Sequence, residues 1–148
     1  CDVIFPQNLI SLNLKNNQIS SLHDVHLPQS LVELYLNDNQ IRDLNDVIFP
    51  QNIEILNLNN NQIRELRGVM FPINLEDLYL QGNQIRELEG FRFPPNLYYL
   101  NLDNNQIISF ENVMFPQNLR KLYIKNNQSL NDIEPLRSKY PNLIIEYL

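Results

Sequence analysis

Six leucines stand 22 residues apart without a slip: Leu12, Leu34, Leu56, Leu78, Leu100 and Leu122. Two residues beyond each comes Leu14, Leu36, Leu58, Leu80, Leu102 or Ile124, and three beyond that Asn17, Asn39, Asn61, Asn83, Asn105 or Asn127. An apolar residue precedes each pair (Leu9, Leu31, Ile53, Leu75, Leu97, Leu119), and Ile19, Ile41, Ile63, Ile85 or Ile107 follows the Asn. The frame is L-x-x-L-x-L-x-x-N-Q-I. A repeat this short cannot enclose a core alone; it buries its apolar face only against copies of itself, so the period dictates a stack.

Within each unit the L-x-L alternation is strand-like, with both leucines on one face and the residue between them on the other. An Asn recurring beside these leucines is costly to bury unless its amide is bonded, so a ladder is expected in which Asn17, Asn39, Asn61, Asn83, Asn105 and Asn127 bond the backbone of their own turn and of its neighbour. Every unit also carries an apolar-Pro pair: Phe5-Pro6, Leu27-Pro28, Phe49-Pro50, Phe71-Pro72, Phe93-Pro94 and Phe115-Pro116. Proline removes a donor and fixes φ, which makes the return segment extended or tightly turned, not a long helix. The aromatic ring before it is expected to fill the far side of the core.

The frame resembles the leucine-rich-repeat family over nearly the whole chain, and the 22-residue unit with N-Q-I-x-x-L is similar to its internalin and phosphatase-regulator classes. Phe-Pro stands where those classes place a further Leu. The resemblance implies an α/β repeat solenoid: a horseshoe with a concave parallel sheet, extended and turned convex segments, and a short C-terminal capping helix. On this reading residues 1–148 are one domain, with a partial repeat at 1–8, six repeats over about 9–130 and a cap at 131–148. Asp132 suits an N-cap, Pro135 a first helical turn and Pro141 the stop. In the closing P-N-L-I-I-E-Y-L, Glu146 falls at an inward Leu position. The chain begins in mid-unit, so either upstream sequence precedes it or a partner covers that face.

Composition narrows the function classes. No apolar run approaches the roughly 18 to 20 residues that cross a bilayer, so no membrane partner is expected. Seventeen acidic against eleven basic side chains give a net charge of −6, which opposes a phosphate backbone and argues against nucleic acid. One cysteine, Cys1, excludes an intramolecular disulfide and points to a cytoplasmic or otherwise intracellular setting, or to a fold indifferent to redox state. Asn, Ile, Leu and Tyr are abundant while Ala, Thr and Trp are absent, the balance expected of a strongly A/T-biased gene. His23 and His26 lack metal-ligand companions at zinc spacing, and phosphate-loop and nucleophile-elbow motifs are missing. Carboxylates such as Glu33 with Glu54 or Asp77 have no enclosed pocket to tune them. The chain reads as a non-enzyme with no cofactor.

Recognition then falls to columns of equivalent residues across the sheet, about 4.8 Å apart. Between the paired leucines the column reads Asn13, Tyr35, Asn57, Tyr79, Asn101, Tyr123. Tyrosines on a rigid face are efficient contacts, although Tyr and Asn also simply suit a half-exposed strand. The flanking columns are Ser11, Glu33, Ile55, Asp77, Tyr99, Lys121 and Lys15, Asn37, Asn59, Gln81, Asp103, Lys125. A protein partner is expected on Tyr35, Tyr79, Tyr99, Tyr123, Asn57, Asn101, Glu33, Asp77, Asp103 and Lys121, and the acidic middle of the face suits a basic one. Self-stacking through the N-terminal end and glycan or microbial ligand recognition are the alternatives. Arg42-Asp43, Arg64-Glu65 and Arg86-Glu87 form adjacent basic and acidic columns, expected to pair between units.

Overall fold

A computed structural model describes residues 3–128 and 133–148. Cys1 and the proposed N-cap Asp132 lie outside the described residues. Seven three-residue strands form one parallel sheet in chain order: β1 (Ser11–Asn13), β2 (Glu33–Tyr35), β3 (Ile55–Asn57), β4 (Asp77–Tyr79), β5 (Tyr99–Asn101), β6 (Lys121–Tyr123) and β7 (Ile144–Glu146). From β1 to β6 the register follows the 22-residue period, Leu12 facing Leu34, Leu34 facing Leu56 and so on to Leu122, and the last pair steps by 23, Leu122 against Ile145. One helix, α1 (Ile133–Lys139), lies between β6 and β7. The fold is a leucine-rich-repeat solenoid.

The inward leucines of the central strands are wholly buried, and each successive turn adds its own layer to one continuous core. Opposite the sheet, the residues before proline build an aromatic spine. Phe49 meets Phe71 at 6.2 Å, Phe71 meets Phe91 at 6.1 Å, Phe91 meets Phe93 at 4.8 Å, and Phe93 meets Phe115 at 5.5 Å. The spine ends on Tyr140, 5.7 Å from Phe115, whose Oη also accepts the Phe115 N–H at 3.2 Å. After each proline the chain closes a tight turn, its carbonyl accepting the N–H three residues on, as in Leu31 to Pro28 and Leu75 to Pro72, both 3.2 Å. The expected extended-and-turned return segment is therefore present.

The asparagine ladder ties these turns together. Asn61 Nδ2 donates to Leu36 O at 3.0 Å in the preceding unit and to Leu58 O at 3.1 Å in its own, while its Oδ1 accepts the Ile41 N–H at 2.9 Å. Asn39, Asn83 and Asn105 repeat the pattern and, with Asn61, are only 6 to 7% exposed. The two ends depart from the expected burial. Asn17, in the first unit, is exposed and bonds only its own turn, through Leu14 O and Lys15 O. Asn127 keeps the full pattern but is half-buried.

Two left-handed backbone positions recur along the stack, the first in all six units and the second in the first five, and they give some of the Asn and Asp residues a backbone task. The first is Asn16, Asp38, Asn60, Gly82, Asn104 and Asn126, with φ between 54° and 70°. The second is Asp24, Asp46, Gly68, Gly90 and Asn112, with φ between 58° and 80°. Only Asn, Asp and Gly occupy them, the residues that tolerate this region. Base composition was thus an incomplete account of the asparagines. At Gly82 a Cβ would also run into Asn60 Oδ1.

The last strand corrects the sequence reading. Ile145 takes the inward position and Glu146 pairs with Tyr123 on the outer face, where its carboxylate lies 3.7 Å from Lys125 Nζ. An inward Glu would have been a buried unpaired charge, and a one-residue change of register removes that cost.

Asn61→Leu leaves the buried Ile41 N–H without an acceptor and is expected to destabilise the fold by roughly 2 to 4 kcal/mol. The exposed Asn17→Leu should cost under about 1 kcal/mol. Urea unfolding of both variants measures the difference; equal losses would remove the ladder from its central role.

Candidate functional site

Because each strand is three residues long and β1 to β6 keep a 22-residue register, the outer face of the sheet is a grid. Asp77 stands beside Tyr99, and Tyr99 beside Lys121, in one row; Tyr79 stands beside Asn101, and Asn101 beside Tyr123, in the next. The rings cross between rows. Tyr79 and Tyr99 have centroids 4.9 Å apart at 37°, and Tyr99 and Tyr123 are 5.2 Å apart at 36°. Three half-buried tyrosines from β4, β5 and β6 thereby form one continuous ridge. Sequence columns alone space tyrosines about 10 Å apart; Tyr99, from the neighbouring column, closes the gap between Tyr79 and Tyr123.

Tyr35 stands apart from the ridge, separated from Tyr79 by the strand that carries Ile55 and Asn57. It sits beside Glu33, which accepts a 2.9 Å bond from Ser11 Oγ. Burial first, then the Glu33 charge and hydrogen bond, raise the Tyr35 phenol above its usual 10.0. Lys121 lies exposed at the C-terminal end of the ridge.

The asparagines of the tyrosine column have a structural task. Asn57 Oδ1 accepts the Asn59 N–H at 3.0 Å, Asn101 Oδ1 the Asp103 N–H at 2.9 Å, and Asn13 Oδ1 the Lys15 N–H at 3.0 Å. In the intervening units the equivalent N–H is met from the preceding turn instead: Gln81 N–H by Asn59 Oδ1 at 2.7 Å, and Lys125 N–H by Asp103 Oδ1 at 2.6 Å. A unit whose strand end is capped by its neighbour does not need Asn in that column and is free to carry Tyr. This accounts for the Tyr79 and Tyr123 units; in the Tyr35 unit the equivalent Asn37 N–H makes no such bond among the described residues. Asn101 is buried, and its Nδ2 reaches Tyr99 Oη and Gln81 Oε1, both at 3.5 Å, steadying the middle of the ridge.

Burial raises the Asp77 and Asp103 carboxyls above the usual 3.8. For Asp77 the Glu76 charge adds to this and Lys121 opposes it; for Asp103 the Lys125 backbone bond and ammonium oppose it. The Tyr79 phenol is raised by burial, then by Asp77, Tyr99 and Tyr35. Burial also raises Tyr99, against the lowering effect of its Asn101 bond. The Asp77 carboxylate makes no hydrogen bond or ion pair among the described residues. Asp38 is a left-handed turn residue; its carboxylate accepts bonds from Asn60 and Asn37, both 2.8 Å, which hold it below the usual value.

The expected Arg–acid pairing between units does not form. Among the described residues the ion pairs are His23 with Asp24, Lys125 with Glu146 and Arg137 with Glu134. Arg42, Arg64 and Arg86 instead donate Nε to Gln62, Gln84 and Gln106 of the next turn, at 3.1, 3.4 and 2.8 Å. A neutral acceptor one turn away competes well here because an exposed ion pair contributes only about 0 to 1 kcal/mol. The signal was present in the Gln of each N-Q-I. Arg64, Gln84 and Arg86 line an open cleft of about 1100 Å³ on the flank of units three and four, where Arg64, Arg67, Arg86 and Arg92 are set against Glu65, Glu87 and Glu89. Near-balanced charge selects no sign of ligand. Sequence reading also missed an exposed apolar stripe, Ile4, Ile48, Met70 and Met114, one residue before each Phe.

Among the described residues no group of three or more His, Cys, Asp and Glu is placed to hold a metal ion, and no helix is long and apolar enough to cross a membrane.

Parallel register at a fixed 22-residue step, an inward leucine lattice and an asparagine ladder together define a leucine-rich-repeat protein with an open sheet face. The leucine rich repeat family model matches residues 29–85. YopM from Yersinia enterocolitica is 30% identical, with a TM-score of 0.68 over 95% of this chain and 33% of that one. A Shigella effector leucine-rich-repeat domain, 21% identical, shares the fold with a TM-score of 0.67 over 95% of this chain and 82% of that one. An internalin (inlF) from Listeria monocytogenes, 20% identical, does so at 0.65 over 95% and 47%. The chain carries the leucine-rich-repeat fold and is similar to these proteins in its repeat. It spans about a third of the length of YopM and about half of that internalin. No curated protein matches it in sequence.

A carboxyl whose folded pKa is raised contributes stability that is full below its unfolded pKa and lost as pH rises through the folded one. Asp77→Asn is therefore expected to raise the melting temperature at pH 7 and to lose that advantage as pH falls through the raised Asp77 pKa. Thermal unfolding across pH 3 to 7 checks the sign; a variant less stable than the parent at pH 7 would contradict it.

Proposed function

We propose that the protein is an interaction scaffold that holds a protein partner on the concave sheet, with Tyr79, Tyr99 and Tyr123 as anchors and Tyr35 as an outlying contact. The observation that carries this reading is the continuous ring ridge across β4, β5 and β6. Three half-exposed aromatic rings on short, mutually hydrogen-bonded strands present large amphipathic area with little conformational entropy left to lose. Asp77, Asp103 and Glu33 border the ridge on this reading, and Lys121 its C-terminal end. Asn57 and Asn101 support it through their turn bonds more than they contact the partner.

A binding role is favoured over catalysis because the face is open: its carboxylates have no enclosing pocket, and the hydroxyl–carboxylate pair at hydrogen-bond distance on it, Ser11 with Glu33, is exposed at the N-terminal edge of the sheet. The leucine-rich-repeat fold is generally used for protein–protein interaction, and this chain shares that fold with the Shigella effector domain. An intracellular setting belongs to the same reading, supported by a stack whose cohesion comes from its core and ladder.

Affinity capture with mass spectrometry, comparing the parent with Tyr79→Ala/Tyr99→Ala/Tyr123→Ala and with Arg64→Gln/Arg67→Gln/Arg86→Gln/Arg92→Gln, tests the surface. Partners should be lost from the tyrosine variant and kept by the arginine variant, both folded by circular dichroism. The opposite pattern would move function to the flank.

A further inference from the structure

The outer face pairs an aromatic ridge with a carboxylate that has nothing to bond. Asp77 and Tyr79 project from the same face of β4, and the sheet register sets Asp77 directly beside Tyr99. The carboxylate is half-buried, yet no hydrogen bond or ion pair reaches it from the described residues. The nearest cation in its row, Lys121, is one strand further on across Tyr99, exposed, and forms no ion pair within 4.0 Å. Lys125 is drawn to Glu146 instead. Asp103, on the other side of the ridge, already spends Oδ1 on the Lys125 N–H.

We propose that this corner takes a cationic side chain of the partner, an arginine or lysine, seated against the Tyr79 and Tyr99 rings and paired with Asp77. The proposal rests on the reading of the ridge as a protein-binding face and names the chemistry of the contact at its centre. A guanidinium or ammonium is attracted to a tyrosine face within about 6 Å of the ring centroid, and a carboxylate alongside adds charge-assisted hydrogen bonds. Each interaction strengthens as the partner displaces water. The same docking gives Asp77 the counter-charge that its burial lacks.

Complementarity points the same way. The charge next to the ridge is acidic: Glu76 adjoins Asp77, and Asp77 has no ion pair among the described residues, within a chain of net charge −6. An anionic segment would meet Asp77 uncompensated. A purely apolar one would cover the rings but bury the carboxylate further, leaving it unpaired.

The test uses the peptide acetyl-Gly-Arg-Gly-amide and its citrulline counterpart, which has the same shape without the charge, titrated into the intact 15N-labelled protein. The arginine peptide should saturate in the millimolar range and shift the amides of Asp77, Tyr79 and Tyr99. The citrulline peptide should bind at least about tenfold more weakly. Asp77→Asn, which keeps the side-chain volume, should weaken arginine binding by about the same factor, whereas Lys121→Gln should tighten it by removing a competing cation. Equal binding of the two peptides, an unchanged affinity in Asp77→Asn, or shifts confined to other strands would each overturn the proposal. Its failure is separable from that of the wider reading. Partners lost from the tyrosine variant without arginine binding would sink the cation alone, and arginine binding with every partner retained would sink the scaffold reading alone.

Discussion

The structure depends on how the end of each strand is satisfied. A strand of three residues cannot complete its own hydrogen bonding, and the turn that follows would bury open carbonyls and amides between layers. One asparagine per unit meets that need by reaching into its own turn and the one before, as Asn61 does through Leu36 O, Leu58 O and Ile41 N. Buried carbonyls are shared: Leu36 O accepts from both Asn39 and Asn61, so each side chain locks two turns into a single spacing. The leucine lattice and the aromatic spine supply the apolar burial, but the ladder is what makes the stacking specific.

The face available for recognition inherits its geometry from that lock. With strands held in 22-residue register, Asp77, Tyr99 and Lys121 fall in one row and Tyr79, Asn101 and Tyr123 in the next. Capping sets which rows are free to vary. Where Asn59 or Asp103 closes the following unit's strand end, that unit can place a tyrosine at the central column. The ridge is consequently a by-product of the hydrogen-bond arrangement that function can exploit, and its rings are held on a backbone with little freedom to move.

Much of this was legible from the chain. The period gave the parallel register, L-x-L the inward and outward faces, Phe-Pro the convex spine, and the recurring Asn the ladder. What escaped sequence reading depended on geometry across units. Tyr99 belongs to a different column from Tyr79 and Tyr123, so ring contact could not be read from either column alone. Arg42, Arg64 and Arg86 sit next to acids in sequence yet bond glutamines 20 residues on. The left-handed positions were hidden because Asn16, Asp38 and Gly82 look unrelated until their shared φ is seen. Glu146 was misplaced because the last strand lacks the frame that fixes the others.

Replacing Tyr99 with a photo-crosslinking amino acid, and Arg86 likewise as a flank control, tests the central claim most directly, once a partner has been captured. The account predicts that the residue at 99 crosslinks to one discrete segment of that partner and the residue at 86 does not. Crosslinks formed from 86 with none from 99 would contradict it.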